Sequence, residues 1–210
     1  MKKKYCIVGA GGFGRETLAC LTDCYLRTEY NIPDIAVFMD DNPALCSTEI
    51  MGIPVIGTSD FNPNLYKVVV AIGDPVTREK FIGKLPMETE YTKIIHPSCI
   101  ISQWVKIEEG AIITAGTVII CNVEIGKHAH LNLNTTIGHD CKIGDYFTTA
   151  PATNISGSCE FGNKVYFGTN SSARENIHIS DNVTIGMGGV VVKHIYEPGV
   201  YVGNPVKKLS

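Results

Sequence analysis

The feature that most constrains this chain is a six-residue repeat that runs without a break from Ile101 to Val191. Every sixth residue in this stretch is large and apolar in fourteen of sixteen cases, the exceptions being Thr149 and Ala173. The residue four places later is mostly small or β-branched, and glycine often follows the large residue directly. This hexapeptide repeat predicts a parallel β-helix, in which short strands turn corners and each coil buries its inward residues on the next.

The first 95 residues carry a different pattern, in which short apolar runs alternate with stretches of helical spacing. Strands are predicted at 5–8, 35–39, 54–57 and 67–72, and helices begin after residues 14 and 74. Such alternation predicts a small parallel α/β sheet. We therefore divide the chain into a Rossmann-like half-domain at 1–95, a β-helix at 96–192 and a C-terminal tail at 193–210.

A glycine loop follows the first predicted strand and opens the first helix, with the spacing Gly9, Gly11, Gly14. Backbone N–H groups in such a loop can approach a phosphate at the helix N-terminus. Asp40 and Asp41 end the second strand and could accept hydrogen bonds from a ribose or a base edge. The region supplies one mononucleotide half, so we expect a single nucleotide or nucleotide diphosphate. The alternative is a glycine turn needed only for strand–helix packing.

The composition limits the classes of partner that this chain is expected to bind. The net charge is −3 and no basic block is present, which excludes nucleic acid as the expected partner. No apolar run approaches the roughly 18 residues of a membrane helix, and the N-terminus does not resemble a signal peptide, so we expect no membrane insertion. The eight cysteines form no CxxC pair and are typical of buried thiols in a reducing, cytoplasmic compartment.

One corner of the predicted β-helix carries candidate chemistry. Three hexads make a coil, so residues 18 apart stack about 4.8 Å from each other. His139 and Asp140 occupy an outward corner, and Gly157 lies one coil later in the column of His139. A histidine beside a carboxylate, above an unscreened glycine N–H, is a candidate general base next to an oxyanion donor. An inert, exposed corner histidine is the alternative.

Over essentially its whole length the sequence resembles the PglD/NeuD-type nucleotide-sugar acyltransferases, within the left-handed β-helix hexapeptide acyltransferases. The matching stretches are 9–16, 38–42, 71–74, 96–98, 131–132, 138–145 and 203–207. The resemblance implies an α/β N-terminal Rossmann-like half-domain followed by a left-handed parallel β-helix. It also implies a homotrimer, acetyl-CoA bound in the groove between neighbouring helices, and no metal.

The resemblance also assigns the catalytic residues. It implies that His139 is the base, that Asp140 orients its imidazole, and that Asn132 helps to shape the site. The Gly157 N–H is expected to face the thioester carbonyl. The expected cofactor and substrate contacts are Thr148, Thr169 and Met187 for acetyl-CoA, and Gly11, Gly12, Phe13, Asp40, Asp41 and Gly73 for the nucleotide sugar. Phe13 and Thr148 replace histidines that occur in some members of the family.

These residues predict an acetyl-CoA-dependent N-acetyltransferase that acts on a nucleotide-linked amino sugar, a 4-amino-4,6-dideoxyhexose, by direct transfer. The alternatives are an O-acetyltransferase for a sialic-acid-type sugar and a non-catalytic nucleotide-sugar-binding protein. His128 and His130 together with His139 do not have the spacing by which γ-class carbonic anhydrases bind zinc on this scaffold. Cys141 and Cys159 are expected to point inward as packing thiols.

Overall fold

The structure is a computed structural model that describes residues 3–26 and 28–209, so the outer limits of the predicted first domain and tail lie outside it. The described residues up to Tyr91 form an α/β sheet with its helices. The strands are β1 Lys4–Val8, β2 Ala36–Asp40, β3 Glu49–Ile50, β4 Ile53–Gly57, β5 Tyr66–Val70 and β6 Glu90–Tyr91. The helices are α1 Gly12–Tyr25, α2 Ile32–Ile35 and α3 Pro75–Ile82, with a 3₁₀ turn at Thr58–Asp60.

The strand order is β3-β4-β2-β1-β5-β6, and every neighbouring pair is parallel except β3 with β4. The last three residues of β1 and β5 and the first four of β2 are buried, because helices and the rest of the chain cover both faces of the sheet there. The carboxyl ends of these three strands lie at one edge. That edge therefore collects the loops at 9–13, 40–42 and 71–74.

From residue 94 onward the chain winds into a β-helix of mostly two-residue strands. In chain order they are β7 Ile94–Ile95, β8 Ile100–Ile101, β9 Lys106–Ile107, β10 Ile112–Ile113, β11 Val118–Ile119, β12 Glu124–Ile125, β13 His130–Leu131, β14 Thr136–Ile137, β15 Lys142–Ile143, β16 Thr148–Thr149, β17 Asn154–Ile155, β18 Glu160–Phe161, β19 Tyr166–Phe167, β20 Ser172–Ala173, β21 His178–Ile179, β22 Val183–Ile185, β23 Val190–Val191, β24 Gly199–Val202 and β25 Lys207–Lys208.

Every third strand pairs in register with the strand 18 residues away, which gives three faces. Face 1 contains β7, β10, β13, β16, β19, β22, β24 and β25; face 2 contains β8, β11, β14, β17, β20 and β23; face 3 contains β9, β12, β15, β18 and β21. The predicted parallel β-helix is confirmed. The predicted tail adds to it, because β24 extends face 1 beside β22.

The hexad pattern explains the core and the corners. The large apolar residue of each hexad points inward and is buried from Ile113 to Val191. Burying one such side chain is worth about 1.5–3 kcal/mol, so each coil gains three of these increments. From Gly110 to Gly188, each corner has one residue with positive φ. Asn122, Asn134, Asp140 and Asn176 are four of them, and Asn and Asp tolerate this conformation better than most residues.

Thr149 breaks the apolar series and has a specific use. Its hydroxyl accepts a hydrogen bond from the Asn132 backbone N–H at 3.0 Å and shares a 2.7 Å hydrogen bond with the Thr135 hydroxyl. Thr135 in turn donates to the Asn132 carbonyl oxygen at 2.7 Å. This buried pair of threonines fixes the backbone of the corner that carries Asn132.

The α/β region packs against face 1. Arg78 of α3 reaches His130 and Thr148 on this face, and the thiols of Cys20 and Cys24 in α1 contact the backbone at Ile113 and Ile95. Faces 2 and 3 are left uncovered by this region. In residues 3–26 and 28–209, no helix has the length and apolar character needed to cross a membrane.

Candidate active site

The His139 and Asp140 side chains lie together at the corner between faces 2 and 3. Nδ1 of His139 is 2.8 Å from Oδ2 of Asp140. A carboxylate only accepts hydrogen bonds, so this contact places the proton on Nδ1 and leaves the Nε2 lone pair free. Both side chains are more than half exposed. The corner therefore presents an oriented imidazole that can accept a proton from a molecule in the surrounding groove.

Asp140 is itself held by a residue one coil earlier. The side-chain amide of Asn122 donates to Oδ1 of Asp140 at 3.0 Å. The hydrogen bond from Asn122, followed by that from His139, lowers the pKa of the Asp140 carboxyl. Asp140 therefore stays ionised at neutral pH, which keeps its role as an acceptor for the imidazole. The 18-residue spacing of Asn122 and Asp140 is the sequence signal that could have identified this contact.

Gly157 lies directly against the imidazole. A Cβ atom at this position would be 2.7 Å from both Nε2 and Cε1 of His139, which is closer than real side chains approach. The Gly157 N–H donates no hydrogen bond to any residue within the described ranges, and the residue is buried beneath the imidazole. The absence of a side chain thus gives the reactive nitrogen its space and leaves a backbone donor beside it.

Asn132 lies at a different corner, between faces 1 and 2. Its side-chain oxygen accepts a hydrogen bond from the Leu133 backbone N–H at 2.7 Å. Thr169 and Met187 follow at the same corner two and three coils along, and Met187 is 80% exposed. Within one chain, these residues are one full side of the triangular helix away from His139. The predicted catalytic and acetyl-CoA residues therefore fall on two edges of face 2.

Thr148 does not lie with the other predicted acetyl-CoA contacts. It is 5% exposed on face 1, beneath the α/β region. Its hydroxyl accepts a hydrogen bond from Arg78 at 2.8 Å and donates towards the Gly73 carbonyl oxygen at 3.4 Å. The expectation of a cofactor contact at Thr148 is therefore corrected, because this outward face is covered by the loop after β5.

A cavity of about 310 Å³ opens at the carboxyl edge of the α/β sheet. It is lined by Val8, Gly9, Met39, Asp40, Asp41, Ile72, Thr77, Lys80, Phe81 and Lys84. Lys80 and Lys84 add two positive charges that sequence reasoning did not identify. Lys80 lies on α3 and Lys84 directly follows its C-cap, and their four-residue spacing is the signal that could have found them.

The two predicted acidic residues differ in their contacts. Asp40 accepts hydrogen bonds from the Ala10 N–H at 2.8 Å and from the Asn42 N–H at 3.0 Å, so its carboxylate braces the glycine loop. Asp41 is exposed and its carboxylate has no partner in the part of the chain that the structure describes. Asp41 is therefore the acidic group that is free to meet a ligand.

The glycine loop separates into packing and open positions. A Cβ atom at Gly14 would overlap the Gly9 carbonyl oxygen, which explains the glycine there by strand–helix packing. Gly11, Gly12 and Gly73 have nothing within 4 Å of such an atom, so their backbones are open to a ligand. The Phe13 ring next to them rests on the His130 ring, with 4.8 Å between centroids. Of the predicted substrate residues, Asp40 and Asp41 line the 310 Å³ cavity, whereas Gly11, Gly12, Phe13 and Gly73 lie outside its lining.

The other histidines and thiols have structural contacts. His130 is buried between Arg78 and the Val70 carbonyl oxygen, and burial holds its pKa well below the usual value. His128 is buried between tyrosine rings, which lowers its pKa to about 4. Cys141 and Cys159 point inward and are buried, as predicted. Within residues 3–26 and 28–209, no cluster of metal-binding side chains is formed.

Comparisons with known proteins give matches to both the α/β region and the β-helix. The PglD N-terminal domain family matches residues 4–85. A GDP-perosamine N-acetyltransferase from Escherichia coli O157:H7 is 31% identical over 177 residues, covering 82% of this chain and 79% of the relative. The crystal structure of PerB from Caulobacter crescentus, in complex with CoA and GDP-perosamine, is 27% identical and superposes with a TM-score of 0.87 over 100% of this chain and 99% of PerB. WeeI from Acinetobacter baumannii AYE is 28% identical, with a TM-score of 0.89 over 99% and 100% of the two chains.

Proposed function

Because the chain belongs to the PglD/NeuD-type nucleotide-sugar acyltransferases, we propose that it transfers the acetyl group of acetyl-CoA to the amine of a nucleotide-linked amino sugar. The single observation that carries this proposal is the His139–Asp140 pair, with its free Nε2 beside Gly157, whose N–H donates to no described residue. The relatives from Escherichia coli and Caulobacter make a GDP-linked 4-amino-4,6-dideoxyhexose the first acceptor to test.

The proposed reaction is a direct transfer. The neutral sugar amine attacks the thioester carbonyl carbon while Nε2 of His139 takes the proton that the nitrogen loses. Asp140 stabilises the imidazolium that forms, and the Gly157 N–H stabilises the oxyanion of the tetrahedral intermediate. Collapse of the intermediate breaks the carbon–sulfur bond, and the departing CoA thiolate recovers the proton from His139. An acyl-enzyme is unnecessary, because the thiolate is already a good leaving group.

The nucleotide cavity and the proposed base His139 lie in different regions of the chain, which supports a reaction between two chains. The nucleotide cavity belongs to the region that packs on face 1, whereas His139 lies at the corner opposite that face. A nucleotide sugar bound at the cavity is therefore separated from the base of its own chain by the width of the β-helix. We propose that a neighbouring chain supplies His139, and that Asn132, Thr169 and Met187 line the facing side of the acetyl-CoA groove.

An apolar surface beside His139 supports this assembly as a trimer. Large apolar side chains are exposed on face 2 and along its two edges, namely Ile100, Trp104, Ile120 and Leu133, at 41–67% exposure. Their clustering on one side of a chain is typical of a surface that contacts another subunit. We propose a cytoplasmic homotrimer that serves glycan biosynthesis. The eight free cysteines fit a reducing compartment.

The decisive experiment follows CoA release and product structure with a panel of acceptors. The panel contains 4-amino-4,6-dideoxyhexoses linked to GDP, UDP and TDP, and a CMP-linked sialic acid. We expect stoichiometric CoA release and an amide on the sugar with one of the amino sugars. Acetylation of a hydroxyl group would favour the O-acetyltransferase alternative. Tight binding of a nucleotide sugar without CoA release would favour the non-catalytic alternative.

A further inference from the structure

Arg78 is the largest fully buried side chain within the described ranges, and the predicted site residues do not include it. It lies on α3, at the contact between the α/β region and face 1 of the β-helix. No carboxylate forms an ion pair with it within 4.0 Å among the described residues. A charged side chain is rarely buried in this way unless its hydrogen bonds serve a specific geometry.

The guanidinium group connects the two regions through its two terminal nitrogens. One terminal nitrogen donates to the Ile72 and Gly73 carbonyl oxygens at 2.7 and 3.3 Å, and to Nδ1 of His130 at 2.8 Å. The other terminal nitrogen donates to the Tyr146 carbonyl oxygen at 2.7 Å and to the Thr148 hydroxyl at 2.8 Å. The planar fork thus holds the loop after β5 against the β-helix.

The same contacts extend to Phe13, one of the predicted substrate residues. His130 receives the hydrogen bond from Arg78 at Nδ1, so its Nε2–H is free to donate to the Val70 carbonyl oxygen at 2.9 Å. Its ring, held by these two bonds, supports Phe13 in the first turn of α1. Arg78 therefore fixes the position of the Gly73 loop directly. It fixes the position of the Phe13 ring through the side chain of His130.

The charge of Arg78 adds an electrostatic contribution. Burial lowers the pKa of its guanidinium to about 9, which still leaves it protonated at neutral pH. Asp74 favours the charged form of Arg78 without forming an ion pair with it, so a positive charge lies beneath the Gly73 loop, where it can attract an anionic ligand. Nε of Arg78 is buried without a partner, so the position of the group is determined by its terminal nitrogens.

We propose that Arg78 is a positioning residue for the nucleotide sugar, which locks the Gly73 loop and Phe13 in the geometry that receives the acceptor. This inference rests on the proposed function and adds a determinant of acceptor binding to it. Arg78 acts through the loop and through His130 and does not touch the reacting atoms. It is expected to affect acceptor binding and to leave the acetyl-CoA groove on face 2 unchanged.

The test replaces Arg78 by lysine, which keeps the charge and loses the planar fork. We expect the KM for the nucleotide sugar to rise roughly tenfold or more, with the KM for acetyl-CoA unchanged. His130→Asn retains an acceptor towards Arg78 but removes the ring beneath Phe13. We again expect a higher KM for the nucleotide sugar and an unchanged KM for acetyl-CoA. Lys106→Arg, the reverse exchange at an exposed lysine of face 3, is the matched control and should leave both constants unchanged.

Amide hydrogen exchange of the intact protein supplies a second readout that does not depend on the reaction. We expect faster exchange at 9–13 and 71–74 in Arg78→Lys, and unchanged exchange at 138–140. If wild-type protein turned over no nucleotide sugar, the proposed reaction would fail and the exchange data would still decide whether Arg78 holds the loop. Equal rises in both KM values, or a lower kcat with both KM values unchanged, would overturn the positioning role. Unchanged exchange at 71–74 would overturn it as well.

Discussion

Gly157→Ala should separate the catalytic geometry from the fold. The added methyl carbon would lie 2.7 Å from Nε2 and Cε1 of His139, whereas ordinary van der Waals contact begins at 3.4 Å. The imidazole must therefore retreat by roughly 0.7 Å or rotate away from the corner. A misplacement of this size at a reacting group costs on the order of 10²-fold in rate. The backbone at Gly157 does not need glycine, since its φ is not positive.

The fold should tolerate this substitution because the His139 side chain is 59% exposed and can move into solvent. We expect kcat to fall by about 10²-fold and the KM for acetyl-CoA to rise, while the melting temperature stays close to that of wild type. Gly83→Ala is the matched control, since its methyl group would meet only ordinary contacts of 3.6 Å or more. Steady-state kinetics that gave wild-type constants for Gly157→Ala would refute the assignment of Nε2 and of the oxyanion donor.

Three further predictions test separate parts of the account. Asp140→Asn keeps the corner conformation but loses the carboxylate that orients His139, so kcat should fall by less than in His139→Ala; an equal or larger loss would contradict a supporting role. Gly12→Val places a side chain in the phosphate approach and should raise the KM for the nucleotide sugar alone, whereas a matching rise for acetyl-CoA would argue against the loop assignment. His128 has a folded-state pKa of about 4, below its unfolded value, so its stabilising contribution is present above about pH 6.5 and is lost as the pH falls towards 4. Urea unfolding at pH 7 and pH 5 should show a loss of about 2 kcal/mol from this group, and His128→Asn should remove that part of the pH dependence.

Much of the fold could be predicted because the hexad pattern is local and repeats. The inward series from Ile113 to Val191 specifies the coils, and a period of 18 residues places His139 beside Gly157 without further information. Thr149 illustrates the limit of the pattern. In the sequence, Thr149 interrupts the series of large apolar residues. In the structure it is buried, and its hydrogen-bond partners come from the preceding coil.

The contacts between the two regions could not be predicted from spacing. Arg78 reads as one charged residue of an exposed helix, and only the packing of α3 on face 1 buries it against His130. Thr148 was misassigned for the same reason, since its covered face depends on where the loop after β5 lies. Asp40 and Asp41 are adjacent in sequence, but only the folded loop shows that the first braces the glycine turn and the second faces outward.

The central claim is that His139 is the base that accepts the proton from the sugar amine. The most direct test compares single-turnover acetylation of the nucleotide amino sugar by wild type and His139→Ala, with product analysis by NMR and sedimentation of both proteins. The account predicts an N-acetyl amide from wild type, a rate lower by roughly 10²–10⁴-fold in the variant, and trimers in both. A variant that formed the same amide at the wild-type rate would contradict it.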